Sequence, residues 1–402
     1  MPRLTLLAAA ALAALALSGC SLKSEDSGGD PAQRAGEGVS SSDKSGVAAL
    51  GFPTTATRDT TRVAGTDPTA DAAGVASALF PATSLGTRPA AVTLVDGDQW
   101  QAGVAAGVLA GAPLHAPILL SDGEDLPEVT KATLDRLKPR GQALAKGVQV
   151  LLVGDRPPAP GGYKSGAIGG GGDPYAIAAA VDRFQTTAAG KPTRDVMVAS
   201  GEDAAYAMPA AAWAARSGDP VLFVKRGSIP EPTKQALARH EKPNVYLLGP
   251  PSAISPAVEA QLKPLARKVT RIGKDAKNPV ESAVEFTLFS SGGFGWGARL
   301  PGRPYTIANT SRPLDAAAAA ALGTNGVYAP LLVTDRADAL PPALDGYLTD
   351  LQPGFENDDP SSGVYNRAWI LGNRDALSTE MQARVDELLE LVPADKGPDS
   401  GI

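Results

Sequence analysis

The sequence predicts an α/β protein in which one parallel-sheet module occurs three times in tandem. A proline-led apolar run recurs as Pro117-Ile118-Leu119-Leu120-Ser121, Pro220-Val221-Leu222-Phe223-Val224 and Pro330-Leu331-Leu332-Val333-Thr334. Each is followed by a second apolar run that closes on glycine: Val150 to Gly154, Val245 to Gly249 and Ala368 to Gly372. The matching prolines lie about 100 residues apart, a domain-sized period and not that of a short solenoid. Short apolar runs separated by helical periodicity suit strands buried on both faces of a parallel sheet.

The elements follow in the same order in each unit. The first opens with a strand at Arg62-Val63-Ala64-Gly65. A helix follows whose apolar stripe is Ala72, Val75, Ala76, Leu79 and Phe80. Ala91 to Val95 is a strand, Asp96-Gly97-Asp98 a turn, and Trp100 to Leu109 a small-residue helix stopped by Gly111-Ala112-Pro113. After the Pro117 strand come a helix from Glu128 to Leu137 and a strand from Val148 to Val153. The second unit repeats this from Ile168 and the glycine run Gly169 to Gly172, with helices around Ile177, Val181 and Phe184, from Tyr206 to Arg216, and from Glu231 to His240. The third begins at Thr270-Arg271-Ile272-Gly273 and includes the alanine helix Asp315 to Leu322 and a last helix from Ser378 to Leu389. Alternating strands and helices imply three small Rossmann-like layers with right-handed crossovers. The expected divisions are 58–162, 163–266 and 267–392, with a disordered tail at 393–402.

The N-terminus reads as an export signal. One positive charge, Arg3, precedes a Leu/Ala run from Leu4 to Leu17 that is too short to span a bilayer comfortably. Leu17-Ser18-Gly19-Cys20 resembles a bacterial lipobox, with residues 1–20 as signal and Cys20 as the acylated residue. Acyl chains there would anchor the protein to the outer face of the cell membrane. Cys20 is the only cysteine, so an intrachain disulfide is excluded. Residues 21–57, rich in Ser, Gly and charge, lack the apolar side chains needed to offset ordering entropy and are expected to form a flexible tether.

Composition narrows the function. A formal net charge of −6 argues against non-specific nucleic-acid binding. With no Gly-x-Ser-x-Gly elbow, no His-Glu-x-x-His and only two histidines, no catalytic constellation emerges, and neither an enzymatic activity nor a cofactor is expected.

The order Arg-x-x-Gly, helix, strand, Asp-rich turn with an Ala-rich helix, Pro-Ile-Leu-Leu strand and Gly-ended strand resembles the cell wall-binding type 2 repeat, over about residues 58 to 390. The resemblance implies three α/β modules about a pseudo-threefold axis. It also implies non-covalent attachment to an anionic, teichoic-acid-like polymer or polysaccharide of a Gram-positive-type wall. The first unit matches best, through Arg62, Gly65 and Ile118-Leu119-Leu120. The sequence departs from the family where Thr66-Asp67-Pro68 replaces Arg-Tyr after the first glycine. A second expectation fits the lipobox equally: a solute-binding lipoprotein that captures a small ligand between α/β lobes.

Each candidate contact has two readings. Ile118, Leu119 and Leu120 are a ligand surface by family analogy, or a buried strand by composition. Arg62 and Arg271 suit bidentate pairing with phosphate or carboxylate, or a salt bridge between units. Phe294 and Trp296, in the glycine-flanked run Gly292 to Gly297 inserted in the third unit, suit stacking on sugar rings, or plugging a junction. Gly169 to Gly172 is either an anion cradle or a permissive turn. A polyanion would repel the chain overall, so binding would rest on a local basic patch or on uncharged sugar contacts.

Overall fold

The computed structural model describes residues 55–394 except residue 358; Cys20 and its flanking signal lie outside the described residues. The first unit contains the hairpin β1 (Thr55–Ala56) and β2 (Thr60–Val63), then α1 (Pro68–Leu79), β3 (Val92–Asp96), α2 (Trp100–Ala106), β4 (Ile118–Ser121), α3 (Glu128–Leu137) and β5 (Val150–Val153). The second has β6 (Ser165–Ile168), α4 (Pro174–Ala189), β7 (Asp195–Ser200), α5 (Ala204–Ala207), α6 (Pro209–Ser217), β8 (Val221–Val224), α7 (Glu231–Arg239), β9 (Asn244–Leu248) and α8 (Pro256–Leu262). The third has β10 (Lys268–Ile272), α9 (Pro279–Leu288), β11 (Pro304–Asn309), α10 (Asp315–Leu322), β12 (Leu331–Thr334), α11 (Pro342–Asp350), β13 (Gly354–Phe355), β14 (Arg367–Leu371), α12 (Thr379–Leu389) and β15 (Val392–Pro393).

Three large parallel sheets result, in the orders β4-β3-β5-β6, β8-β7-β9-β10 and β12-β11-β14-β2, the last extended by antiparallel β1, beside a small parallel pair β13-β15. The fold is therefore α/β with repeated Rossmann-like modules, as the periodicity implies. One feature differs from a simple tandem array. The strand that opens each unit pairs with the last strand of a different unit: β6 with β5, β10 with β9, and β2 with β14. The opening strand of the chain thus completes the final sheet, and the repeat closes into a ring. The helix after each opening strand then covers the next sheet, α1 against β4, α4 against β8 and α9 against β12. Each chain segment thereby stitches two sheets together.

The helix starts follow from local sequence. Asp67, Asp173 and Asn278 cap α1, α4 and α9 with side-chain oxygens, and Pro68, Pro174 and Pro279 occupy the first turn, where a missing N–H costs nothing. The structure adds α8, which the sequence pattern does not reveal, because its Pro256-Ala257-Val258 start has little apolar periodicity.

The Ala-rich helices meet at the centre. One apolar cluster runs through all three units, and three smaller clusters fill the outer face of each sheet. All eight residues of α10 are buried, which explains why its apolar character has no stripe. Close approach fixes the composition. A Cβ on Gly107, just after α2, would lie 2.7 Å from the Ala211 carbonyl oxygen of α6, and one on Gly323 would collide with the Ala212 carbonyl. A Cβ on Gly103 of α2 would lie 3.3 Å from Ala317 Cβ of α10. Each pair of central helices therefore crosses with a glycine on one and alanine on the other.

Gly323→Val is expected to cost more than about 3 kcal/mol, or to prevent folding, because backbone and not a pliable side chain opposes the added atoms. Gly346→Ala, at an exposed position of α11 with open space around it, should instead stabilise by about 0.5–1 kcal/mol. Urea unfolding of both variants checks the contrast; equal effects would contradict the close-packed centre.

Candidate functional site

Among the sequence-derived candidates, the structure gathers none into a common exposed surface. Ile118, Leu119 and Leu120 form β4, and their exposures of 2%, 1% and 0% leave no face for a ligand. A surface role is corrected to a core one. The run is apolar because α1 lies against it.

Arg62 and Arg271 are junction clamps. Arg62 Nε donates to Gln382 Oε1 at 2.7 Å, Nη1 to the carbonyls of Gly372 and Asn373 at 2.9 and 3.0 Å, and Nη2 to the Ser378 carbonyl at 3.1 Å. Arg271 repeats the pattern: Nε to Glu259 Oε2 at 2.8 Å, Nη1 to Gly249 O at 2.8 Å and Nη2 to Ile254 O at 3.0 Å. Each guanidinium ties an opening strand to the glycine turn and following helix of the sheet it completes. Burial, and then the charge of Arg374, hold Arg62 down to about 10. The register places Ala167 at the equivalent position in β6, facing Leu152 as Arg62 faces Ile370 and Arg271 faces Leu247. No helix follows β5 for an arginine to fasten.

Phe294 and Trp296 face inward too. Phe294 is 1% exposed and stacks on Tyr246 with centroids 3.5 Å apart and planes 2° from parallel. Trp213 of α6 lies tilted against Phe294 at 5.0 Å and edge-on to Trp296 at 5.3 Å, while Phe286 and Phe289 complete the cluster. The glycines Gly292, Gly293, Gly295 and Gly297 all have positive φ, which lets the loop double back. The inserted rings seal the junction between the second sheet and α9. Gly169 to Gly172 likewise all adopt positive φ, a turn conformation.

A buried polar cluster that sequence reasoning missed closes the ring. Arg312 forms an ion pair with Asp71 of α1, and its Nε reaches Asp315 Oδ2 of α10 at 2.8 Å; both carboxylates are fully buried. Asp71 Oδ1 also accepts from the Gly65 amide at 2.8 Å. Burial pushes both carboxyls up, Asp315 to about 6, because one guanidinium faces two carboxylates and leaves one charge uncompensated. Burial opposes the charge on Arg312, yet Asp315 and Asp71 together hold its pKa above the ordinary value. Aligning the three unit starts would have exposed this cluster, since Ile177 and Ser282 stand where Asp71 does against Gly169 and Gly273.

Of the two histidines, His240 is buried with Nε2 2.8 Å from Asp182 Oδ1 and Nδ1 2.9 Å from the Thr193 carbonyl, an arrangement that fastens α7 to α4. The exposed charge sits elsewhere. Beyond the C-terminal ends of the strands, β4 is followed by Asp122, Glu124 and Asp125 and β8 by Lys225 and Arg226, whereas the loops after β12 and β14 are mixed, with Arg336 between Asp335 and Asp338 and Arg374 beside Asp375. These four cations form no salt bridge among the described residues. Loops at this edge of open α/β sheets are where such folds commonly hold ligands.

A ring of three interlocked α/β units whose buried polar groups serve their junctions defines a repeat scaffold. Residues 169–259 match the family described as Cell wall binding domain 2 (CWB2). The fold is shared with Cwp6 from Clostridium difficile (TM-score 0.65, 18% identity, 83% of this chain and 48% of that one). It is shared also with Cwp8 from Clostridium difficile (TM-score 0.62, 18% identity, 83% of this chain and 52% of that one). The chain therefore spans about half the length of these structures. No curated protein sequence matches it.

Two outcomes follow from this geometry. Arg62→Met should cost about 3–5 kcal/mol in urea unfolding, because it strips donors from buried carbonyls of a junction. Asp315, raised above its unfolded value near 4, gives stability that is full below about pH 4 and lost as pH rises through about 6. Asp315→Asn should flatten that loss by on the order of 1–3 kcal/mol when unfolding is followed from pH 4 to 7. An unchanged pH slope would show that the proton sits elsewhere.

Proposed function

We propose that the protein is a surface lipoprotein that grips an anionic cell-wall polymer without transforming it. Support for wall binding comes foremost from the CWB2 match over residues 169–259, joined by a fold shared with two Cwp proteins. On this reading, acylated Cys20 holds the chain at the membrane and the tether spans the gap to the folded units, ending before residue 55 and not at the expected 57, because β1 (Thr55–Ala56) already pairs with β2. The polymer contacts lie on exposed cations at the strand ends of the second and third sheets, Lys225, Arg226, Arg336 and Arg374, and not on the buried motif residues. This resolves the electrostatic conflict. A chain of net charge −6 can still hold a polyanion through a local group of cations that form no salt bridge among the described residues, provided these outweigh the neighbouring Asp335, Asp338 and Asp375.

The test is sedimentation of the protein with purified walls, before and after the anionic polymers are stripped. Retention should be confined to untreated walls and fall at least tenfold between 0.1 and 0.5 M salt. The variant carrying Lys225→Glu, Arg226→Glu, Arg336→Glu and Arg374→Glu should fold normally and lose retention. Equal binding to stripped walls would overturn the polymer assignment. Cys20→Ala, expressed in an exporting host, should move the protein from the membrane fraction to the wall fraction or medium.

A further inference from the structure

The junctions between neighbouring units are built alike, but they are not equally filled. Register makes Leu151 of β5 the counterpart of Tyr246 of β9, since each directly precedes the residue that faces Ala167 or Arg271 and itself faces Gly166 or Thr270. Phe184 and Phe289 stand equally far along the chain from the caps Asp173 and Asn278. In the later junction, Phe294 lies between this tyrosine and this phenylalanine, stacked on one and edge-on to the other at 6.3 Å. The loop that carries it connects α9 to β11. The corresponding connection from α4 to β7 is only Gly190-Lys191-Pro192-Thr193-Arg194, too short to send a ring back.

Where that ring would sit, the earlier junction has an open cleft of ≈ 230 Å³, lined chiefly by Leu144, Lys146, Val148, Leu151, Ile168 and Phe184. An apolar cavity of about 150 Å³ holds a benzene, so this one has room for a single substituted ring. Its lining is mostly hydrocarbon, which favours the face of an aromatic ring over the many hydroxyls of a sugar. One cation, Lys146, lines it, and a second, Lys164, lies beside the first. Lys146 and Lys164 are both exposed, Lys164 Nζ donates to the Lys146 carbonyl at 2.6 Å, and neither forms a salt bridge among the described residues.

We propose that this cleft is a docking site for a loop of another protein that presents an aromatic side chain beside a carboxylate. The ring would occupy in trans the place that Phe294 occupies in cis at the next junction, and the carboxylate would meet Lys146 and Lys164. Glycine-flanked loops are suited to the task, because the one that fills the equivalent place folds back only through its positive-φ glycines. The site is separate from the cations assigned to the polymer, so either assignment can fail alone.

The probe is the hexapeptide glycine–glycine–4-fluorophenylalanine–glycine–aspartate–glycine, titrated with the full chain and followed by fluorine NMR. Saturable broadening and displacement of the fluorine signal are expected. Affinity should fall at least fivefold with Lys146→Glu plus Lys164→Glu, and also with Leu144→Asp; all three positions are exposed, so the fold is retained. Free 3-(4-fluorophenyl)propionate should bind at least tenfold more weakly than the peptide. Equal binding of this small acid would overturn the partner-loop assignment in favour of a free aromatic acid. Displacement of the peptide by wall fragments would give the cleft to the polymer instead. Absence of saturable binding, or binding indifferent to all three substitutions, would overturn the proposal outright.

Discussion

The close crossing of three small-residue helices is the constraint on which the rest of the architecture depends. Once α2, α6 and α10 approach until carbonyl oxygens of one crowd the Cα atoms of the next, the side chains between them can be no larger than alanine or glycine. That distance sets how near the three sheets stand. It makes the central cluster common property of all units, so no unit has its entire core to itself. Van der Waals contact across such interfaces is collectively large and tolerates little added volume. The alanine-rich composition is, at these helices, a packing requirement.

Cyclic closure follows from the same geometry. A strand that opens one unit but completes the sheet of another leaves the first such strand, β2, to be paired at the far end of the chain with β14. The closing junction carries two additional polar devices, the Arg62 clamp and the Asp71–Arg312–Asp315 cluster. The clamp is matched by Arg271 one junction earlier, whereas the carboxylate pair has no counterpart at Ile177 or Ser282. Buried charge seldom adds much net stability over an apolar alternative. Its physical return here is specificity: correct placement of the N-terminal strand and α1 brings Asp71 to Arg312, and any other placement leaves that carboxylate without its guanidinium.

Variation between units therefore falls into two kinds. Differences at the junctions, such as Ala167 for arginine or the ring-bearing loop of the third unit, change how neighbours lock. Differences in the loops beyond the strands change surface charge, acidic after β4, basic after β8 and mixed after β12 and β14. The scaffold keeps these two kinds apart, since junction residues point inward and strand-end loops project outward. A triplicated frame can thus diverge in what it binds without losing the packing that holds it together.

The sequence by itself determined the class of fold and the number of units. Strand and helix periods are local, and the proline-led and glycine-ended runs recur where β4, β8, β12 and β5, β9, β14 form. It also showed Asp67, Asp173 and Asn278 before prolines, the local signature of a helix start. Tertiary structure alone decided which face of each element is inside. Ile118-Leu119-Leu120, Arg62, Arg271 and Phe294 look in sequence like equal candidates for surface and interior, because a buried parallel strand, a clamped guanidinium and a plugging ring have no distinctive spacing. Their burial depends on partners distant in the chain, from Tyr246 for Phe294 to Gln382, 320 residues away, for Arg62. Long-range pairing leaves no periodic trace in either segment, so the ring closure and the unfilled cleft became visible only when the chain was folded.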